Sequence, residues 1–467
     1  MSARANAALL CEWTRGSLLH GRPEQTFSGT KIDSREVRPG DLFVAIVGPN
    51  HDAHRFVGDV LGAGAAGALV QSDRIENTIA RSDAFLVHVD DTTAALADLA
   101  RGHRQSFDGP LIAITGSNGK TTTKELCAGI LGGMAPTLST RANLNNEFGV
   151  PLTLLRRDDK DRFVVVEMGM NHRGEIGALA GIAQPTIGVL TNVGTAHIEF
   201  LGSREAIAEE KGDLLAALPA AGTAVASRDD ALAFAQTKRS PANVLSFGRD
   251  PAADLRASKI RFLDQGVFVF SLETPFGRGE IRVPGLAETI VENALAAAGG
   301  AFAAKASFEE VADGLARHTG VPGRMQACVL PGDVNVIDDT YNANPQSMRN
   351  ALETLARLET QGLRFAALGP MGELGDRADA AHREIGRLAG ELGIDGVFAL
   401  GDAAELIAAG AREAGLPSDC IHVASDHASL ARALLARLGK GDRVLVKGSR
   451  AAKMERVIVE LEEARNT

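Results

Sequence analysis

Gly116-Ser117-Asn118-Gly119-Lys120-Thr121 lies between the apolar run LIAIT (Leu111 to Thr115) and a stretch in which Leu126, Ile130, Leu131 and Met134 recur at helical spacing. Glycines let backbone N–H groups turn toward an anion. A helix starting just after them adds unpaired N–H donors and the positive end of its dipole. Lys120 supplies a point charge for β- and γ-phosphates, and the Thr121 hydroxyl can ligate Mg²⁺. With Thr122, these residues form a candidate triphosphate cradle. The match is the short G-x-x-G-K-T form, because Ile114 stands where the longer motif begins with glycine. A plain Gly-rich turn with a solvated lysine is the bland alternative, and the strand–turn–helix context weighs against it.

Other residues could serve the same chemistry. Glu167 closes the otherwise apolar run FVVVEM, where an unpaired buried carboxylate is costly and calls for a cation. Mg²⁺ takes oxygen ligands and keeps several waters, so one carboxylate plus phosphate oxygens suffices. His197 follows the strand ending at Val193, and on its own reads as a hydrogen-bonded loop histidine. Lys211, in EEKGDLL, reads on its own as one charge on a solvated helix face. Lys447, Ser449 and Arg450 follow the strand RVLV; they are candidates for substrate carboxylate or phosphate contacts, against the reading of a solvated basic loop.

The elements that must position these groups are legible as well. A length of 467 residues suggests about three domains. The 45% hydrophobic and 23% charged composition is that of a globular protein, which argues against disorder or fibrous repeats. A net charge of −10 offers no field for nucleic acid or an anionic membrane. Aromatics at 4% are too sparse for a base-stacking surface. No apolar run reaches the ~18 residues that cross a bilayer, and MSARANAALLCEW lacks signal-peptide order. Cys11, Cys127, Cys328 and Cys420 form no CxxC, which fits a reducing cytosol. A cytoplasmic, non-membrane, monomeric protein is therefore expected.

The expected fold class is α/β with three domains. Residues 1–107, with LFVAIV (Leu42 to Val47), a helix over Phe56 to Ala66 and GALV, form a small α/β domain. Residues 108–320 open after Gly109-Pro110 and carry LIAIT, FVVVEM and TIGVLTNV, runs continuously apolar as in parallel strands covered on both faces. Residues 321–467 alternate VNVI, RFAAL, GVFAL, IHVA and RVLV with amphipathic stretches, the pattern of a doubly wound sheet. Polar motifs fall just after the strands: TGSNGKTTT, EMGMNH, NVGTAH, DDTYNAN, GPMGE and KGSR. Ligands of open α/β sheets bind at those strand ends.

TGSNGKTTTKE, NLNNEFGVPLT, EMGMNHRGEI, NVGTAHIEFLGS, EEKGDL, PGRM, DDTYNANPQSM and LVKGSRAAKME occur in the order seen in the ATP-dependent Mur ligases, and the chain resembles that family over nearly its whole length. The last three blocks and IDSREVRPGDLFVAIVG resemble the members that take D-Ala-D-Ala as acceptor. The resemblance implies an N-terminal UDP-binding domain, a central ATPase domain and a C-terminal Rossmann-like domain. It implies that ATP phosphorylates the terminal carboxylate of a UDP-N-acetylmuramoyl-tripeptide and that the D-Ala-D-Ala amine attacks the acyl phosphate. On this resemblance Thr121 and Glu167 bind Mg²⁺, His197 sits at a second metal position, and Lys211 is the lysine that becomes carbamylated. Arg324 reaches ATP phosphates, Asp339 contacts the ribose, and Asn342 and Asn344 lie near adenine or the reacting groups. Tyr341 is equally a packed aromatic or a ligand contact. Asn145 and Asn146 contact substrate, and Ser34 and Arg35 bind the uridine diphosphate.

Two departures stand out. Ala53 replaces the glycine of a D-G-H segment formed here by Asp52 and His54, which leaves that loop's backbone open because Ala disfavours positive φ. In GLAETIVENALAAA, Asn293 matches a family asparagine, whereas Thr289 and Ile290 replace the preceding His-Asn pair of the adenine site. Three rivals remain. A folylpolyglutamate synthetase-like ligase would have GKGS and no DSR domain, and another Mur ligase would lack DDTYNANP. A nucleotide-gated switch would not need the carboxylate, histidine and lysine set. Domain closure is expected about linkers near Pro110 and Pro322.

Overall fold

In the computed structural model, which describes residues 5–71, 83–263 and 266–466, the continuously apolar runs become the inner strands of three sheets. The largest has nine strands. Their order is Gly277–Pro284, Val267–Thr274, Leu255–Leu263, Asn243–Gly248, Thr223–Ser227, Ile187–Leu190, Leu111–Thr115, Phe163–Glu167 and Thr137–Ser139. All neighbours are parallel except the two pairs at the Gly277–Pro284 end. Leu111 and Ala113 pack into one buried cluster, with Ile176 and Leu214, and Ile112 and Ile114 into another, with Ile130 and Leu295. Side chains alternate faces along a strand, so a strand covered by helices on both sides is apolar at every position.

Leu111–Thr115 lies between Phe163–Glu167 and Ile187–Leu190. The loops after all three strands therefore open at one edge, and these loops are the phosphate cradle, EMGMNH and NVGTAH. The C-terminal sheet repeats the arrangement. Its order is Gln326–Leu330, Val334–Asp339, Arg443–Lys447, Arg364–Leu368, Gly396–Leu400 and Ile421–Ala424, antiparallel only at the first pair. Here Arg443–Lys447 lies between Val334–Asp339 and Arg364–Leu368, so KGSR, DDTYNAN and GPMGE meet. Buried clusters on both faces, one around Leu352 and Ile385 and one around Leu430 and Val457, make this sheet doubly wound as expected.

The N-terminal sheet runs Ser17–His20, Phe85–Val89, Gly67–Gln71, Leu42–Val44 and Thr30–Lys31. Its helix Thr92–Arg104 shares a buried cluster with the central domain, joining Leu96 and Leu99 to Val150, Leu154 and Leu179. Arg104, 8% exposed, donates to the carbonyls of Ala183 and Gln184. This buried apolar contact runs continuously from the N-terminal into the central domain beside Pro110.

Three expectations need correction. LFVAIV is a strand only over Leu42–Val44, and the helix expected from Phe56 is Val57–Gly62 after a single turn, Ala53–Phe56. The antiparallel strands Leu255–Leu263, Val267–Thr274 and Gly277–Pro284 were not anticipated. Their signal is the alternation of buried Phe268, Phe270, Leu272, Ile281 and Val283 with exposed Glu273, Glu280 and Arg282, the mark of a half-solvated sheet. Ala53 is absent from the described positive-φ residues, so the alanine fits the loop without strain.

The helices Ala378–Glu391 and Ala404–Glu413 touch backbone to backbone at two glycines. A Cβ at Gly386 would meet the Ile407 carbonyl oxygen at 1.8 Å, and one at Gly410 would meet that of Arg383 at 1.8 Å. Gly386→Ala is expected to force the helices apart and destabilise the C-terminal domain by roughly 1–3 kcal/mol. Urea unfolding followed by hydrogen exchange in that domain measures this; unchanged protection would show that the contact tolerates a methyl group.

Candidate functional site

The phosphate loop is held from every side. Gly116 has φ 151° and Gly119 φ 79°. An added Cβ would meet Thr191 Oγ1 at 1.9 Å in the first case and Asn293 Oδ1 at 2.1 Å in the second. Beyond the loop, Ser117 N donates to the Asn192 carbonyl at 2.9 Å and Asn118 N to Asn192 Oδ1 at 3.0 Å. Thr191 Oγ1 and Asn192 Nδ2 both donate to the Asn118 carbonyl, at 2.8 and 3.0 Å. The two residues that end the Ile187–Leu190 strand region therefore shape the turn. Lys120 Nζ folds back onto the carbonyls of Gly116 at 2.8 Å and Ser117 at 3.3 Å. Burial lowers its pKa, partly countered by Glu167, and Arg324 pushes in the same direction as burial. Thr121 and Thr122 begin the helix Lys120–Gly132 and line the cavity.

Glu167 is 2% exposed. Its Oε1 accepts from Asn145 Nδ2 at 2.8 Å, while its Oε2 is buried without a hydrogen-bond partner among the described residues. Ser117 Oγ, in the same cavity lining, is likewise unpartnered. A buried carboxylate oxygen left open in a cavity that the Thr121 hydroxyl also lines is the kind of donor set that a hard, oxygen-seeking cation fits. Asn146 is engaged locally, Oδ1 accepting from Gly149 N at 3.0 Å at the start of the helix Gly149–Leu155.

Lys211 overturns the reading of a solvated charge: it is 1% exposed. Its neighbour Glu210 does not neutralise it, because both Glu210 oxygens accept from the backbone at the start of the helix Glu175–Ala183, from Gly174 N at 2.7 Å and Ile176 N at 2.8 Å. Among the described residues Lys211 makes no ion pair. Burial holds its pKa well below the ordinary lysine value, reinforced by the charge of Lys120. His197 has φ 64° and its Nδ1 lies 2.6 Å from Glu373 Oε2 of the C-terminal domain. That close approach of the imidazole holds Glu373 below the usual carboxylate range.

The C-terminal domain touches the phosphate loop directly. Arg324 Nη2 donates to Thr121 Oγ1 at 2.9 Å, with its guanidinium 4.0 Å from the Tyr341 ring centroid. Tyr341 thus packs against the arginine and also lines the cavity. Asn344 caps the helix Pro345–Arg357, Oδ1 accepting from Ser347 N, and its Nδ2 donates to Asn118 Oδ1 at 2.8 Å. Lys447, 1% exposed, is tied to Asp339 Oδ2 at 2.5 Å and the Asn342 carbonyl at 2.9 Å. Ser449 N donates to the Pro370 carbonyl, and Arg450 pairs with Glu455.

A cavity of about 1690 Å³ gathers most of these groups from both domains, more than an ordinary small-molecule site needs, while Lys211 lies outside its lining. Its lining includes Asn145, Asn146, Glu167, His197, Asn293, Arg324, Asp339, Asn342, Asn344, Lys447, Ser449 and Arg450, and at its other end Thr289 and Ile290. Ser34 and Arg35 lie outside that lining, Arg35 paired to Asp33 at 2.6 Å. His54 is tied to Asp52 at 2.7 Å and accepts from Gln71 N at 2.8 Å, so this pair fixes its own loop. Sequence reasoning missed Thr191, Asn192, Gln346 and Glu373. Each lies in or beside a polar strand-end motif, and that position was the available signal.

Residues 114–301 match the Mur ligase middle domain, and residues 323–450 match the Mur ligase glutamate ligase domain. The chain is 36% identical, over 94% of both chains, to the UDP-N-acetylmuramoyl-tripeptide–D-alanyl-D-alanine ligase of Escherichia coli strain K12. Among solved structures, MurF from Acinetobacter baumannii superposes with a TM-score of 0.88 at 33% identity, covering 98% of this chain and 99% of that one. MurF from Thermotoga maritima in complex with ADP superposes with a TM-score of 0.81 at 31% identity, covering 94% and 98%. With both family domains matched in succession and relatives more than 30% identical over nearly the whole chain, this protein belongs to the Mur ligase family.

Proposed function

We propose that this chain is the ATP-dependent ligase that adds D-Ala-D-Ala to UDP-N-acetylmuramoyl-tripeptide, acting in the cytoplasm as a monomer and yielding a pentapeptide precursor of peptidoglycan, ADP and phosphate. The observation that carries the reading is the direct contact of Arg324 and Asn344 with the phosphate loop, in a chain alike over nearly its whole length to relatives bearing that name.

The chemistry demands such a site. A carboxylate is a poor electrophile and must approach a γ-phosphate that is already negative. A carboxylate oxygen of the tripeptide attacks γ-phosphorus and the bond to ADP breaks. The neutral amine of D-Ala-D-Ala then attacks the acyl carbon, and phosphate leaves with the original carboxylate oxygen while the nitrogen gives up one proton and keeps the other in the amide. Lys120 and Arg324 neutralise the transferring group, and preorganised charges of this kind act strongly in a site shielded from water. Mg²⁺, when bound, neutralises β- and γ-phosphate charge, and Thr121, Glu167, His197 and a carbamate on Lys211 are the groups that would hold it. A neutral buried amine is the form that adds CO₂, and the resulting carbamate turns a misplaced cation into an oxygen ligand.

Asp339 is assigned to the ribose, and Asn293 and Asn342 to the nucleotide. Asn145, Asn146, Asn344, Lys447, Ser449 and Arg450 are assigned to the peptide substrates and the reacting groups. Ser34 and Arg35 are assigned to the uridine diphosphate. Closure about the linkers near Pro110 and Pro322 would exclude water from the acyl phosphate.

Two results test this. Purified enzyme with ATP, Mg²⁺, UDP-N-acetylmuramoyl-tripeptide and D-Ala-D-Ala should yield the pentapeptide by mass spectrometry, and Lys120→Ala should lower turnover by about 10²–10³-fold. Absence of the amide, or a Lys120→Ala enzyme equal to the parent, would overturn the reading. Lys211→Ala should lower turnover by about 10²-fold or more, with partial rescue by short carboxylates. It should also abolish a carbamate ¹³C signal formed from labelled bicarbonate; an unaltered signal would remove the carbamate from Lys211.

A further inference from the structure

We propose that Glu373 is a positioning residue for His197, delivered from the C-terminal domain, so that the imidazole takes its working orientation when the two domains dock. The inference rests on the reading that His197 works beside the γ-phosphate.

The pairing is built rather than incidental. Glu373 Oε2 and His197 Nδ1 are 2.6 Å apart and come from different domains. Both residues hold left-handed backbone, φ 60° and 64°, which non-glycine residues adopt at a cost and which concentrates at functional sites. The His197 side chain is 16% exposed and lines the cavity, as does Glu373. A carboxylate this close to Nδ1 favours the tautomer that keeps its proton on Nδ1, which leaves the Nε2 lone pair free.

The loop that presents Glu373 is itself fastened. Gly369 N donates to the Lys447 carbonyl, and the Pro370 carbonyl accepts from Ser449 N, both at 2.8 Å. Met371 N donates to Nε2 of His382 at 2.8 Å. His382 is 3% exposed, and its Nδ1 faces the Ala378 carbonyl at 2.7 Å, which makes Nδ1 the protonated nitrogen and Nε2 the acceptor. On the far side Gly375 lies against Glu199, two residues beyond His197. The loop is thus tied to the KGSR strand end that also carries Lys447, and it seats on the segment that bears His197. An ion pair serving only to glue the domains together would not need two left-handed residues or a pinned loop.

Glu373→Asn is the informative variant: asparagine accepts left-handed backbone, and its side chain is too short to reach His197. In the full-length enzyme kcat is expected to fall about 10–100-fold, with the KM for ATP unchanged within about threefold and little further loss when His197→Ala is added. Glu373→Gln, which keeps an acceptor in place, should recover most of the rate. ¹⁵N NMR of His197 in the ligand-free protein should show the Nδ1–H tautomer in the parent and a mixed population in Glu373→Asn. Parental kcat in Glu373→Asn, losses that add with His197→Ala, or an unaltered tautomer would each overturn the proposal. Near-parental activity of His197→Ala alone would instead refute the role of His197, while the tautomer measurement would still decide the pairing.

Discussion

The close fit of the phosphate loop against its neighbours is the constraint on which the rest of the site depends. Thr191 and Asn293 leave no room for a Cβ at Gly116 or Gly119, and Asn192 and Asn118 stitch the turn together through backbone and side chain. Positive φ at both glycines gives the turn the backbone shape of an anion cradle, and a preorganised cradle stabilises anionic charge with little reorganisation. The loop works as a rigid cradle because three strand ends and the helix bearing Asn293 converge on it.

A rigid cradle in one domain creates a second requirement. The transferred group must be reached from the other side, and the C-terminal sheet supplies that reach with the same topological device, an inner strand flanked by two whose loops open at one edge. Asn344 caps its own helix and bonds Asn118 with the amide nitrogen left over, so helix capping and domain docking are served by one side chain. Lys447 is held by Asp339 and the Asn342 carbonyl, which ties DDTYNAN to KGSR before any ligand enters. Charges are distributed on the same logic. Glu210 spends both oxygens on a helix start, Lys211 is buried with no ion pair among the described residues though close enough to feel the charge of Lys120, and Glu167 keeps one oxygen open in the cavity.

Much of this was legible from the chain alone, for identifiable reasons. Strands covered on both faces must be apolar at every position, so Leu111–Thr115 and Phe163–Glu167 announce themselves, and the polar residues that follow can only be strand-end loops. The phosphate loop was readable because its glycines are demanded by geometry. Lys211 was not: nothing in EEKGDLL distinguishes a buried lysine from a solvated one, since burial is decided by the helix's neighbours, and only the family resemblance pointed to it. The antiparallel strands after Leu255 were overlooked although their alternation was present. Glu373 was hidden for a different reason, because its significance lies in a partner about 180 residues away in another domain, a distance that local pattern reading does not span.

In this mechanism a carboxylate oxygen of the peptide substrate is transferred to phosphorus in the cavity between the two domains. The most direct measurement uses a UDP-N-acetylmuramoyl-tripeptide labelled with ¹⁸O in its terminal carboxylate, together with ATP and D-Ala-D-Ala, and follows the isotope. Each phosphate released is expected to carry one labelled oxygen while the new amide retains the other. Phosphate free of the label, formed at the same rate as the amide, would contradict it.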